Sequence, residues 1–167
     1  MDRGLHPAVK GVGQKHAGLM LVGEAPGAKE EATGIPFVGR SGKFLDSVLL
    51  GLGVDRDEVF ITNVVRCRPP GNRKPSREEI ESCLPDLIEE IKTVKPKVVV
   101  ALGATAINSL TGISGKLGDL IGEEREADLA GLRLKVVLCY HPSAAMRNRR
   151  LKAKFEKALS RALAMSR

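Results

Sequence analysis

The sequence has no hydrophobic run long enough to cross a membrane. A spanning helix needs about 20 consecutive apolar residues, and no stretch of the 167 residues approaches that length. Residues 1–16 are polar and glycine-rich, without the apolar segment of a secretory signal. We therefore expect a cytoplasmic protein that has no membrane partner.

Cysteine is scarce, and two nucleotide-binding motifs are missing. The chain has three cysteines, and an odd number in a cytoplasmic protein argues against a disulfide framework. Neither a GxGxxG fingerprint nor a Gly-Lys-Ser/Thr P-loop follows the first apolar run, at residues 19–22. These absences exclude a dinucleotide-binding turn and a P-loop at that position.

Positive charge is concentrated at one end of the chain. The formal net charge is +7. Residues 141–167 contain eight lysines and arginines and one acid, so they carry the whole excess. This distribution is expected of a surface that faces a polyanion. A solvated basic helix is the alternative interpretation.

A glycine-rich turn, GEAPG at residues 23–27, follows the first apolar run. The run Leu-Met-Leu-Val does not alternate, which is typical of a strand buried on both faces of a parallel sheet. Ligands bind at the carboxyl ends of such strands, and the carboxylate of Glu24 stands there. A turn that needs glycine for its geometry alone is the alternative.

Four apolar strands separated by helices predict an α/β fold. We expect a three-layer α/β/α sandwich with a four-stranded, mostly parallel central sheet, formed as a single domain over residues 1–167. Pro85 should kink or split its helix, residues 28–42 should form a loop, and residues 111–131 have no clear pattern. The predicted strands are 19–22, 59–62, 97–102 and 132–139, and the predicted helices are 41–52, 76–94, 104–110 and the basic tail.

Polar residues follow three of the predicted strands. Glu24, Asn63 and His141 each stand where a strand ends, and Phe37 lies in the loop after the GEAPG turn. Because parallel strands end at the same edge of a sheet, we expect these side chains to converge on one cavity. Taken singly, Asn63 is equally well explained as a turn residue, and Phe37 as a plug over the core.

Five ordered motifs together resemble the uracil-DNA glycosylase superfamily, most closely its family 4. The resemblance covers residues 19 to 150, and its motifs are GEAPG (23–27), GIPFVG (34–39), TNVVRCRPPG (62–71), KVVVALGAT (97–105) and HPSAAMRN (141–148). It implies a DNA repair enzyme that flips uracil out of DNA and reads it in a pocket. Hydrolysis of the N-glycosidic bond would then leave an abasic site.

The resemblance also assigns roles to residues of the predicted cavity. It makes Phe37 a stacking wall, Asn63 the reader of the uracil edge, and Ala25 part of the binding turn. His141 would contact uracil O2 and stabilise the negative charge that develops as the bond breaks. Glu24 is the first candidate for orienting water or balancing the cationic sugar.

Glu30 is the second candidate for that catalytic carboxylate. Either acid could instead be a rim carboxylate paired with Arg40 or Arg66. Uracil has a donor at N3 and an acceptor at O4, which an amide can match, whereas cytosine presents the opposite pattern. A buried amide left unpaired would therefore oppose cytosine.

DNA contacts are expected from the segment HPSAAMRN and the start of the basic tail. This segment resembles the one that fills the gap left by a flipped base, with Met146 and Arg147 as the inserting residues. Phosphate contacts are expected from Ser143 and the backbone near Gly42. Sequence-independent attraction would come from the cations Arg149, Arg150 and Lys152.

The family resemblance implies a 4Fe-4S cluster held by four cysteines, two of which match Cys67 and Cys83. The family's N-terminal Cys-x-x-Cys pair would fall at or just before Met1 and is missing. Two thiolates cannot hold the cluster in the family manner. We therefore expect no intact cluster in this chain, although a longer form that includes the missing pair could bind the family's cofactor. We expect Cys139 to have a packing role.

Three functions compete on this sequence. The first is a monomeric, monofunctional glycosylase that acts on uracil in DNA. The second is a catalytically weak module of the same fold that binds DNA whether or not it contains uracil. The third keeps the catalysis but acts on another deaminated base, such as hypoxanthine or xanthine.

Overall fold

Six strands form one sheet in the computed structural model, which describes residues 8–167. They are β1 (Val12–Gly13), β2 (Leu19–Gly23), β3 (Phe60–Asn63), β4 (Val98–Leu102), β5 (Glu124–Leu129) and β6 (Leu132–Cys139). The strand order is β1-β3-β2-β4-β6-β5. The four central strands run parallel to one another, and the two edge strands pair antiparallel.

Within residues 8–167, six α-helices accompany the sheet, with short 3-10 turns between some of the elements. The helices are α1 (Ala28–Thr33), α2 (Arg40–Gly51), α3 (Arg77–Val94), α4 (Ala104–Thr111), α5 (Pro142–Met146) and α6 (Arg149–Met165). None of those in residues 8–167 is long and apolar enough to span a membrane. Residues 1–7, which belong to the segment expected to lack a secretory signal, lie outside the described residues.

Helices cover both faces of the sheet. Successive residues of β2 alternate between two hydrophobic clusters, because side chains along a strand point to opposite faces. Leu19 and Leu21 belong to the cluster that includes residues of α2 and α6, whereas Met20 and Val22 belong to the cluster with residues of α3 and α4. The expected three-layer α/β/α architecture is therefore confirmed.

The expected number of strands is wrong. The four predicted strands are the parallel centre of the sheet, but two edge strands extend it to six. β1 has only two residues, both exposed. β5 has the sequence Glu-Arg-Glu-Ala-Asp-Leu and lies within residues 111–131, where the charges that protect a sheet edge also hide the apolar pattern of a strand.

Two predictions about local breaks also differ from the structure. Residues 28–42 are not one loop, because they contain α1, a short helix that ends at Gly34 in the left-handed conformation. Pro85 does not split its helix, since α3 runs from Arg77 to Val94 without interruption. The exposed proline removes one backbone donor, while the helix keeps its Ser76–Glu79 capping box and a buried apolar face.

A buried ion pair fixes the region around the end of β3. The guanidinium of Arg66, 3% exposed, donates from Nη1 and Nη2 to the two carboxylate oxygens of Glu90 at 2.7 and 2.6 Å. The same carboxylate accepts from the Thr62 hydroxyl at 2.6 Å and from the Gly11 backbone N–H at 2.7 Å. Arg66 is therefore not the partner of Glu24 or Glu30 considered above, and its pair with Glu90 ties β3 to α3.

Replacing Glu90 should destabilise the protein, because Arg66 would keep a buried charge without a full partner. We expect Glu90→Gln to lower the free energy of unfolding by about 3 kcal/mol, measured by urea denaturation. Glu89→Gln, an exposed neighbour on the same helix, is the matched control and should stay within about 0.5 kcal/mol of the wild type. Equal losses in the two variants would contradict this account of Glu90.

Candidate active site

The carboxyl ends of the central strands open onto one cavity of about 470 Å³. Asn63 is the last residue of β3, Glu24 directly follows β2, and His141 is two residues beyond β6. The cavity is lined by eight of the residues expected at the site: Glu24, Ala25, Glu30, Phe37, Asn63, His141, Ser143 and Arg147. The expected convergence on one edge of the sheet is present.

Other predicted residues do not line this cavity. Met146, Arg149 and Arg150 lie on the adjoining α5 and α6, and Cys67 and Cys83 are buried. Residues 64–75, which the sequence predicts as a basic loop on the same edge as the GEAPG turn, contribute a wall through Pro69, Asn72 and Arg73, residues to which sequence reasoning gave no individual role. A cavity of about 500 Å³ at the β5–β6 hairpin has one motif residue, Lys97, in its lining and none of the residues expected at the site.

The Phe37 ring lies against the turn after β2. A Cβ atom added at Gly23 would lie 2.3 Å from the ring atom Cζ of Phe37 and 2.6 Å from Oδ1 of Asn63. Only glycine therefore lets the ring and the amide approach the end of β2 this closely. The Phe37 ring centroid lies 6.0 Å from that of His141, with 32° between the ring planes.

The backbone of Phe37 is held from two sides. Its φ is +52°, an unusual conformation for a residue other than glycine. The Arg56 guanidinium donates to the carbonyl oxygens of Pro36 and Phe37, both at 2.8 Å. The Glu30 carboxylate accepts from the backbone N–H groups on the other side, Val38 at 2.8 Å and Gly39 at 2.7 Å. These four bonds over-determine the strained conformation.

Glu30 also reaches back to the GEAPG turn, where its second oxygen accepts from the Gly27 backbone N–H at 3.0 Å. Both carboxylate oxygens thus have backbone partners, and the side chain joins the two loops that form one side of the cavity. This geometry favours a positioning role for Glu30. Its expected role as the second catalytic carboxylate stays a prediction.

His141 begins α5 and caps it. Its ring atom Nδ1 accepts from the Ser143 backbone N–H at 3.1 Å and lies 2.8 Å from the Ser143 hydroxyl. Burial lowers the pKa of His141 below its usual value, and the nearby negative charge of Glu24 opposes this shift. The ring is therefore neutral at neutral pH. Because Nδ1 is an acceptor, the single ring proton resides on Nε2, which is therefore the hydrogen-bond donor that the ring offers to a ligand.

Thr105 is a residue of this edge that sequence reasoning quoted in a motif but gave no role. Its hydroxyl donates to Oε2 of Glu24 at 2.5 Å, and it is 5% exposed. Thr105 follows β4, so each of the four adjacent central strands supplies one polar side chain at its carboxyl end. Sequence reasoning looked for polar residues directly after each predicted strand, which is how Glu24 was predicted. It missed Thr105 because two small residues separate Thr105 from the end of β4.

The side-chain oxygen of Asn63 is the unusual polar atom of the cavity. Asn63 is 2% exposed, and its Oδ1 is buried without a hydrogen-bond partner in the part of the chain that the structure describes. A buried acceptor without a donor costs free energy. Its position in a cavity wall is explained if a ligand supplies the missing donor.

The cationic surface beside the cavity mouth comes from the end of α5 and the start of α6. Met146 is the last residue of α5 and is half-buried, whereas Arg147, Arg149 and Arg150 are exposed. Asn148 caps α6 by accepting from two backbone N–H groups. The predicted inserting residues and phosphate-binding cations therefore stand together on one exposed segment.

The cysteines do not form a complete cluster site among the described residues. Within residues 8–167 there is no group of three or more histidine, cysteine or acidic side chains placed to hold a metal ion. The sulfur of Cys83 accepts from the Arg66 backbone N–H at 3.4 Å. Burial raises the pKa of the Cys139 thiol, in keeping with a packing role. Two buried thiols do not fit the four-cysteine set, and the expected absence of an intact cluster stays a prediction.

Comparison with known proteins gives the family. The model of the uracil DNA glycosylase superfamily matches residues 10–164. The chain belongs to the uracil-DNA glycosylase superfamily. The family expected from the five motifs is confirmed.

Curated relatives refine this membership. A type-4 uracil-DNA glycosylase of Pyrobaculum aerophilum is 46% identical over 157 residues, which cover 92% of this chain and 80% of the relative. A type-4 enzyme of Thermotoga maritima is 40% identical over 149 residues, 84% of this chain and 72% of the relative. A type-5 enzyme of Pyrobaculum aerophilum is 37% identical over 146 residues, 78% of this chain and 63% of the relative. The resemblance to family 4 is thus confirmed.

Adding a methyl group at Gly23 should disrupt this cavity, and with it uracil excision, while leaving the sheet intact. The new Cβ would displace the Phe37 ring and the Asn63 amide, so we expect Gly23→Ala to slow uracil release from an oligonucleotide by about 100-fold or more, or ~3 kcal/mol of transition-state stabilisation. Gly51→Ala, where a Cβ meets open space, is the control and should keep wild-type activity. Normal activity in Gly23→Ala would contradict the described contact.

Proposed function

We propose that the cavity at the sheet edge binds a uracil base flipped out of DNA, and that the enzyme hydrolyses its N-glycosidic bond there and leaves an abasic site. The observation that carries this proposal is the buried Oδ1 of Asn63, which has no hydrogen-bond partner within residues 8–167. Superfamily membership and relatives named as uracil-DNA glycosylases support uracil excision as the activity. A base in a stacked duplex cannot reach such a cavity, so it must leave the helix.

Recognition of uracil rests on the Asn63 amide. Its Oδ1 accepts the N3–H of uracil, and the amide nitrogen donates to O4, so the base supplies the donor that Oδ1 does not find among the described residues. Cytosine has an acceptor at N3 and a donor at C4, which would leave the amide unpaired or opposed. This mismatch in a buried polar site gives strong discrimination. The Phe37 ring stacks on the base, and the turn at Ala25 closes the cavity beside it.

His141 stabilises the departing base. The neutral ring donates from Nε2 to uracil O2, where negative charge develops as the glycosidic bond breaks. A donor placed in advance in a site with little water stabilises such charge more effectively than bulk solvent does. The hydrogen bond from the Ser143 backbone N–H to Nδ1 keeps the proton on Nε2.

Glu24 acts on the sugar. Bond breaking leaves a cationic, oxocarbenium-like sugar that water must attack, and the Glu24 carboxylate orients that water or balances the positive charge. Glu30 supports this chemistry through its backbone bonds to the GEAPG turn and the loop of Phe37. In this proposal the reaction needs no metal ion.

DNA binding is assigned to the segment that follows His141. Met146 and Arg147 enter the space vacated by the flipped nucleotide, and the Ser143 hydroxyl contacts a phosphate. The cations Arg149 and Arg150 attract the backbone without regard to sequence. In this proposal the chain works as a single domain and a monomer in the cytoplasm, without help from a membrane.

Replacing Asn63 tests this proposal directly. We expect the wild type to release uracil from a single-uracil oligonucleotide and to leave an alkali-labile site, and Asn63→Ala to react about 100- to 1000-fold more slowly, since it loses two hydrogen bonds to the base. Asn108→Ala, at an exposed position on α4, should behave like the wild type.

Two outcomes would favour the competing functions. Salt-sensitive DNA binding that is indifferent to uracil, with no base released, would indicate a binding module. Release of hypoxanthine or xanthine in preference to uracil, identified from the freed base, would indicate the other substrate class. Both results would contradict the role of Asn63 as the reader of uracil.

The pH dependence of the reaction should report the His141 ring. Because burial lowers the pKa of His141, the ring stays neutral as the pH falls from 8 to its ordinary pKa of about 6.5, so we expect a constant single-turnover rate over that range. At lower pH, protonation of Nδ1 breaks the acceptor contact with Ser143, and the rate should fall. His141→Gln, which donates but does not titrate, should lose this decline. A decline that persists in that variant would assign it to another group.

A further inference from the structure

We propose that Thr105 is a positioning residue for the reaction, holding Oε2 of Glu24 so that Oε1 is the oxygen left for the attacking water. This inference rests on the role proposed for Glu24. The observation behind it is the hydrogen bond from the Thr105 hydroxyl to Glu24. A hydroxyl bonded to a carboxylate makes a stronger and more directional contact than a bond between neutral groups.

The topology places Thr105 where it can do this. β2 and β4 are adjacent parallel strands, but the chain leaves β2 towards β3 on one side and leaves β4 towards β6 on the other. Such a reversal opens a crevice between the two strand ends, the usual place for a ligand in this class of sheet. Glu24 and Thr105 face each other across that crevice.

The turn that carries Thr105 is fixed to the neighbouring strand. The Gly103 backbone N–H donates to the Cys139 carbonyl oxygen at 3.0 Å. A Cβ at Gly103 would lie 3.1 Å from the Cβ of His141, so the turn packs closely against the histidine. Gly103 adopts a φ of +95°, which glycine tolerates and other residues do not. The Thr105 hydroxyl therefore has a set position relative to both Glu24 and His141.

Thr105 also borders a second cavity. It lines a neighbouring cavity of about 360 Å³, whose wall includes Lys74, Asn108 and Ser114, whereas Glu24 lines the proposed uracil cavity. Without the hydroxyl, Oε2 of Glu24 loses the hydrogen bond that holds it in place. A carboxylate that leaves its position by about 1 Å loses much of its effect on the reaction.

This arrangement predicts a defect in the chemical step rather than in uracil binding. We expect Thr105→Val, which keeps the shape and removes the hydroxyl, to lower the single-turnover rate about 10- to 100-fold, the usual effect of one hydrogen bond to a charged group. The Kd for uracil-containing DNA should stay within about twofold, because the contacts of Asn63 and His141 remain. Thr105→Ser keeps the donor and should react within about threefold of the wild type.

A double-mutant cycle separates positioning from packing. In a Glu24→Ala background, Thr105→Val should cause no further loss, because the group it positions is gone. Thr111→Val, the same substitution at the other end of α4 where the hydroxyl bonds to the Ile107 carbonyl, is the matched control and should leave the rate unchanged. Thermal unfolding of each variant shows whether the helix itself is weakened.

The outcomes are distinct. Equal losses from Thr105→Val with and without Glu24, or a Thr105→Ser variant as slow as Thr105→Val, would assign Thr105 to packing and overturn this proposal. An active wild type whose rate is unaffected by Thr105→Val would overturn this proposal alone. A wild type that releases no uracil would overturn the proposed function and this proposal together.

Discussion

The hydrogen-bonded register of the parallel strands is the constraint on which the site depends. Gly23 pairs with Asn63 across β2 and β3, and Leu102 pairs with Cys139 across β4 and β6. Because these strands run in the same direction and end almost in line, side chains that are far apart in the chain emerge side by side. A shift of one residue in any strand would turn its polar side chain away from the cavity. The buried apolar runs of the strands oppose such a shift.

Charged side chains that are not proposed to contact the base hold this edge in shape. Arg56 and Glu30 grip the backbone of the loop that carries Phe37, one through carbonyl oxygens and the other through N–H groups. The Arg66–Glu90 pair, whose carboxylate also accepts from the Thr62 hydroxyl, anchors the end of β3 to α3. In each case a charged group satisfies several backbone or side-chain partners that a loop could not satisfy by itself. The cavity is therefore built before any ligand arrives.

The sequence was sufficient for the centre of the fold and for much of the site, because both follow from local patterns. Continuous apolar runs identified the four parallel strands, and the polar residue after a strand identified Glu24, Asn63 and His141. β5 was not predicted, because the charged residues that protect a sheet edge interrupt its apolar pattern. The continuity of α3 through Pro85 was not predicted either, because it depends on packing along the whole helix. The roles of Arg56 and Thr105 were not predicted for a different reason. Arg56 contacts Phe37, 19 residues away, and Thr105 contacts Glu24, 81 residues away. Sequence spacing does not encode such contacts.

One consequence follows from the cap at the start of α5. His141 stands at the first end of that five-residue helix and Met146 at the other, so about 7 Å of rigid backbone joins the two. In the proposed reaction, one end holds the extracted base and the other fills the hole it leaves. The helix therefore keeps a fixed distance between Met146, at the base stack of the DNA, and His141, in the cavity. If a nucleotide left the DNA only part-way, either the His141 imidazole or the Met146 thioether would be out of place. We therefore expect no cleavage of a nucleotide that is only partly flipped out.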